Sequence, residues 1–200
     1  MTATTKPEPR RRGRPTVATE RRASILEAYI GLIAERGSPE VPIGAIAERA
    51  GVARTAISHF VGDRQALRVA AIEELGRRYE LAIRDAVGPD PTPDQIVDLL
   101  FSPGWTTDRS TDDRAFDLLQ ATASRNPDTR DAVRGTYTLL IDELATAITN
   151  HSGASTQRAA AVAYGIVCLA ETNTVLLDVG FSERHSQDAA ALARSMLPAG

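Results

Sequence analysis

The sequence predicts an all-α protein of about nine helices, and three observations carry the prediction. Apolar residues recur at helical spacing through nearly all of the chain after residue 16. No segment alternates apolar and polar residues over strand length, and aromatic residues make up only 4% of the chain, so a sheet has little to be built from. With 200 residues, 42% of them hydrophobic, the chain suits one ordinary domain or two small ones and can bury a real core.

A first helix is expected from about Thr19 to Arg36, where Ile25, Leu26, Tyr29, Ile30, Leu32 and Ile33 make a wide apolar face and Gly37 stands at the C-cap. The segment SPEVP breaks the pattern, and Pro42 suits the first turn of a short second helix, roughly Ile43 to Ala50. Gly51 ends it, and a hydrophilic third helix covers about Arg54 to Phe60. Asp63 is a good N-cap for a long fourth helix to about Val87, with Leu67, Ala71, Leu75, Tyr79 and Ile83 at helical spacing. The linker GPDPTPD precedes a short helix ending near Phe101, and SPGWTTDRS reads as irregular chain holding the single tryptophan, Trp105. A helix from Asp112 to Ser124, closed by Asn126 and Pro127, is followed by one to about Asn150 with Val133, Tyr137, Leu140, Ile141, Leu144 and Ile148 on one stripe. After the turn HSGAS, the last two helices cover about Thr156 to Val179 and Glu183 to Leu197. The former contains AAAVAYGIVCLA, apolar round most of its circumference, as suits a helix packed on its own domain and also on a second copy of the chain.

Several function classes recede on composition. No apolar run approaches the roughly 18 residues that span a bilayer, and no signal-type segment follows the polar N-terminus, so a soluble, cytoplasmic protein with no membrane partner is expected. The lone cysteine, Cys168, excludes a disulfide framework and reads as a small buried hydrophobe. His59, His151 and His185 stand apart from one another at no metal-ligand spacing, and there is neither a Gly-rich phosphate loop nor a nucleophile elbow. No catalytic residue, cofactor or metal is expected.

Charge divides along the chain. Residues 1 to 70 hold 12 Arg or Lys against 7 Asp or Glu, whereas residues 71 to 200 hold 11 against 19. The positive end includes Arg10, Arg11, Arg12 and Arg14, a run that either attracts phosphates by counterion release or serves as a solubilising tail. Just beyond it, residues 43 to 62 meet the demands of a helix-turn-helix. Ile46, Ala50, Val52, Ile57 and Phe60 fall where the two helices need apolar contacts, Ala47 is small at their crossing, and Gly51 sits at the turn. Packing takes Ile57 and Phe60 and leaves Arg54, Thr55, Ser58 and His59 facing outward, a polar face suited to DNA.

The stretch IGAIAERAGVARTAISHFVGDRQAL, preceded by the first helix, resembles the DNA-binding domain of TetR-type transcriptional regulators, with IAERAGVARTAI its most specific part. The resemblance implies a disordered basic arm at 1–16, a three-helix helix-turn-helix domain at 17–65, and a helical-bundle ligand-binding and dimerisation domain at 66–200. It also implies base contacts from Arg54 and Thr55, phosphate contacts near Ser58 and His59, and a backbone clamp at Arg64. Departures are visible: Val41 and Pro42 replace a hydroxyl pair, Ala53 replaces a frequent Ser, and Ser58 stands where a longer tyrosine is usual. Arginine at 64 for the usual lysine keeps the charge and adds a bidentate fork. Ahead of such a motif, the arginine run suits the backbone or the minor groove.

The acidic remainder is expected to hold a small-molecule effector between helices. Candidate lining residues are Phe101, Trp105, Phe116, Leu119, Tyr137, Tyr164, Cys168 and Thr172, although an aromatic at helical spacing is more often core, and Glu171, Thr172 and Asn173 interrupt an apolar helix with polar groups that suit a ligand, solvent or an interface. The function expected is a ligand-responsive repressor, a homodimer through its last two helices that a small molecule releases from a near-palindromic double-stranded DNA operator. The alternative is a ligand-binding or protein-interaction module that has lost DNA binding.

Overall fold

In the computed structural model, which describes residues 17–199, the helices run in the order α1 (Val17–Arg36), α2 (Ile43–Arg49), α3 (Arg54–Phe60), α4 (Arg64–Val87), α5 (Pro93–Leu100), α6 (Pro103–Thr106), α7 (Thr111–Gln120), α8 (Pro127–Ser152), α9 (Thr156–Asp178) and α10 (Glu183–Met196). No strand occurs among the described residues. Ten helices therefore stand where about nine were expected. The addition is α6, one turn wound from the SPGWTT stretch, which has Pro103 at its first position and bonds from the Trp105 and Thr106 amides to the Ser102 carbonyl, each 3.0 Å.

Side-chain caps fix most of the boundaries. Asp63 accepts from the Ala66 amide at 2.8 Å to start α4. Thr92 with Gln95 and Ser110 with Asp113 form reciprocal capping boxes that start α5 and α7. The helix expected to reach Ser124 ends at Gln120, with a 3₁₀ turn at Ala123–Arg125 beyond it. Asn126 and Pro127 do not close that helix but open the next: Asn126 accepts from the Thr129 amide at 3.1 Å and Pro127 takes the first position of α8.

Two apolar clusters hold the helices together. The first joins α1, α2, α3 and the first half of α4 to α7, through Tyr29, Ile46, Ile57, Leu67, Ala115 and Leu119 among others. The second joins the far end of α4 to α5, α8, α9 and α10, around Ile83, Ile96, Leu144, Ile148 and Ile166. Because α4 runs through both, the head is not a separate body hung on a linker. Arg78 on α4 reinforces the junction, its guanidinium meeting Glu27 of α1 at 2.5 Å and Asp112 of α7 at 3.0 Å.

Two expectations about α9 change. By length and composition it is apolar enough to cross a membrane, with a mean hydropathy of 1.6 over 18 residues, although no uninterrupted apolar run reaches that length. Small and weakly polar residues are spread through it, so the average stays apolar while the run is broken. Cys168 is exposed, not buried, because it lies on the side of α9 turned away from α8 and α10.

Candidate DNA-facing helix and effector cavity

The turn between α2 and α3 is closed by the Val52 amide bonding to the Ala47 carbonyl at 3.0 Å, with Gly51 at φ +64°, a backbone state that disfavours a Cβ. Ile46 and Ile57 are both buried in the first apolar cluster, and Ile57 is the only fully buried residue of α3. Arg54, Thr55, Ser58 and His59 are all exposed. The missing hydroxyls have a local effect: Pro42, expected in the first turn, stands at the N-cap of α2 and Ala53 at that of α3, and neither helix has a side-chain cap.

Individual positions are less uniform than the outward face suggests. The Arg54 guanidinium lies across Gly44 of α2, so close that a Cβ there would stand 2.7 Å from Nη2. Ser58 donates to the Thr55 carbonyl at 3.0 Å, a bond within its own helix, and the His59 ring meets Phe60 edge-on. Arg64 is half-buried and donates to the Val41 carbonyl at 2.8 Å, tying the start of α4 to the entry of α2. Arg68, not singled out by the sequence, sits beside it in an ion pair with Glu40. Arg10, Arg11, Arg12 and Arg14 lie outside the described residues.

Between α4, α7, α8 and α9 lies a cavity of about 120 Å³. Trp105, Phe116 and Tyr137 line it, and Tyr79 completes an aromatic row in which neighbouring ring centres are 5.6 to 6.1 Å apart. Of the other expected lining residues, Phe101 and Leu119 pack into the two apolar clusters, while Tyr164, Cys168 and Thr172 lie exposed on the outer side of α9. Of α9, Glu171 and Thr174 line the cavity; Glu171 stands seven positions after Tyr164 and three after Cys168, so it lies at the border of the same outward arc, and periodicity alone does not separate it from them. Gly76 matters here because a Cβ would stand 2.8 Å from Thr136 Oγ1, so its absence lets α4 approach α8.

Charged groups that periodicity alone did not reveal complete the wall. Arg109 reaches Asp117 at 2.8 Å and lies 3.9 Å from Asp113. Burial works against its charge, but the two carboxylates outweigh it and hold the guanidinium above its ordinary pKa. The Tyr79 hydroxyl donates to Asp113 at 3.1 Å, and the Tyr137 hydroxyl donates to Glu171 at 2.8 Å. Burial, then the adjacent carboxylate, pushes both hydroxyls up. Burial likewise raises the Glu171 carboxyl, with the Tyr137 bond opposing. A capping signal was legible for Asp113; nothing in the sequence showed that α7 would turn Asp113 and Asp117 toward a cavity.

The outer side of α9 carries Tyr164 at 61% exposure, Val175 at 61% and Val179 at 69%, with Phe181 at 50% just beyond and Leu192 of α10 at 54%. These are large apolar groups that the described chain leaves half or more exposed, Phe181 meeting the His185 ring edge-on.

No family model matches the chain. Curated relatives named HTH-type transcriptional regulator BetI do: that of Brucella abortus is 34% identical over 86 residues, which is 41% of this chain and 43% of the relative, and that of Brucella anthropi is 26% identical over 116 residues, 57% of this chain and 60% of the relative. The matches thus span about half the length of the curated relatives. Among solved structures, a Streptomyces coelicolor protein named as a transcriptional regulator superposes with a TM-score of 0.71 at 19% identity, over 90% of this chain and 99% of the other. A Rhodococcus protein named as a TetR-family regulator gives 0.69 at 24% identity, again over 90% and 99%. The multidrug binding protein EbrR, complexed with imidazole, gives 0.67 at 17% identity over 90% and 96%. Identities this low show a shared fold.

Proposed function

We propose that this chain, which has the fold of the TetR-family regulators and resembles them in sequence over its matched segment, is a ligand-responsive DNA-binding transcriptional regulator, a repressor released from a near-palindromic operator by a small molecule. One observation carries the reading above all: α3 buries only Ile57 and turns Arg54, Thr55, Ser58 and His59 outward on a rigid support. In the proposed complex Arg54 leaves Gly44 to reach base edges beside Thr55, Ser58 and His59 lie near phosphate, and Arg64 holds the backbone by exchanging or sharing its bond to Val41. Residues 1–16, with Arg10, Arg11, Arg12 and Arg14, act as a basic arm on the DNA, residues 17–65 form the reading head, and residues 66–200 hold ligand and partner.

A single head binds weakly, and the uncovered apolar side of α9, with Leu192 of α10, supports a cytoplasmic homodimer through the last two helices. Two heads then reach successive major grooves about 34 to 36 Å apart. Ligand acts from the cavity, whose wall includes Trp105, Phe116 and Tyr137. Tyr79 in that wall adjoins Arg78, which links α4 to Glu27 and Asp112, so an occupant that shifts α7 against α4 changes the pose of the head.

A gel shift with the DNA upstream of the protein's own coding region, at two salt concentrations, tests the reading. Salt-sensitive binding with a dimer's stoichiometry is expected; a dimer indifferent to every duplex at low ionic strength would overturn it. Deleting residues 1–14 is expected to lower affinity and flatten the salt slope.

A further inference from the structure

The cavity wall is unequal in charge. Glu80, Asp113, Asp117, Glu143 and Glu171 face it against only Arg84 and Arg109, an excess of three carboxylates. Arg84 is taken up by Glu80 at 3.1 Å, and Arg109 by Asp117 at 2.8 Å with Asp113 at 3.9 Å. Glu143 and Glu171 remain: among the described residues neither makes an ion pair, but Glu143 is exposed, whereas Glu171 is partly buried and accepts from the Tyr137 hydroxyl at 2.8 Å. It projects from α9 beside four aromatic rings whose faces favour positive charge.

We propose that the cavity takes an organic monocation, an ammonium or amidinium group on an apolar body, with Glu171 as counter-ion and Trp105, Tyr79, Phe116 and Tyr137 as its walls. An anion would add to the carboxylate excess, and a neutral apolar ligand would desolvate Glu171 without pairing it. A cation pairs it and lies against the rings. The Nε of Arg109 is buried without an acceptor, but its guanidinium already faces two carboxylates. It therefore suits a neutral oxygen on the ligand, such as a hydroxyl or carbonyl, and not a second anion. The inference rests on the cavity being the effector site of the regulator proposed above.

Trp105 is the only tryptophan in the chain and stands in the wall, so its fluorescence reports occupancy directly. The full-length protein is titrated at constant ionic strength and pH 7.5 or above with three probes of similar shape: 2-phenylethylammonium, 2-phenylethanol and 3-phenylpropionate. Saturable binding of the ammonium is expected, tighter than the alcohol by about tenfold or more, with the carboxylate weakest. Glu171→Gln is expected to abolish the preference for the ammonium and leave the alcohol's affinity within about threefold, with the variant's helical content and cooperative melt checked alongside. Equal or tighter binding of the alcohol or carboxylate, or no saturation by any of the three, overturns the assignment, and so does a preference that survives in the variant. The gel shift on the same preparation separates the two readings. Ammonium binding without DNA binding supports the cation site and overturns the regulator; DNA binding without ammonium preference does the reverse.

Discussion

The helices α3 and α9 both present a face that nothing in the described chain covers, and the two faces are opposite in chemistry. On α3 the uncovered residues are Arg54, Thr55, Ser58 and His59; on α9 and its C-cap they are Tyr164, Cys168, Val175 and Val179. A polar face at low cost in water needs no partner to be stable, so the partner it suits is one that offers hydrogen bonds and negative charge. An apolar face of that size is costly in water, and what it suits is a like surface. Exposure alone tells little; the chemistry of what is exposed sorts one surface toward nucleic acid and the other toward a second copy.

Replacing Val175 by Glu puts a charge into the α9 stripe, at a position too exposed to disturb the fold. By sedimentation the variant is expected to be monomeric, and its operator affinity to fall by about 10²- to 10⁴-fold as the second head is lost. A variant that stays dimeric would place the seam elsewhere. On the other helix, Ile57→Ala removes the one buried anchor of α3 and is expected to cost about 2 to 5 kcal/mol in chemical denaturation. Arg54→Ala should leave the melt unchanged but cost about 1 to 3 kcal/mol in binding, read as relaxed discrimination among operator variants.

The smallest effect concerns the carboxylate that α9 lends to the cavity wall. The Glu171 carboxyl is raised above its ordinary value of 4.5, chiefly by burial. A group raised in the folded state stabilises fully below its unfolded pKa, and that contribution disappears as pH rises through the folded pKa. Glu171→Gln is therefore expected to raise the melting temperature at pH 7.5 and not at pH 4. Each kcal/mol gained corresponds to about 2 to 4 °C for a chain of this size. An equal change at both pH values would show that the charge of Glu171 is not the cause.

Much of this was legible in the sequence because it is local. Asp63, Gly37, Gly51 and the prolines announce helix ends through backbone chemistry, and the apolar positions of α1 and α8 recur at 3.6 residues, so boundaries fell within a few residues. The failures share one physical cause, which is that they depend on what lies across from a helix. Periodicity places Tyr164, Cys168 and Thr172 on a stripe but cannot say whether the stripe faces a cavity or water. Arg109, Asp113 and Asp117 look like any solvated helix start until α4 is seen opposite, with Tyr79 donating into the cluster. Asn126 and Pro127 stop one helix and start another with equal plausibility, and only the Asn126 bond to Thr129 decides between them.

Between the Asp63 cap and Gly88, α4 is one unbroken rod of 24 residues, about 36 Å long. Such a rod works as a lever whose fulcrum is the packing of its Ile83 end in the second apolar cluster. Turned by about 5° about one end, it displaces the other by about 3 Å, roughly the length of a hydrogen bond, so a small rearrangement around Tyr79 becomes the difference between a base edge touched and one missed.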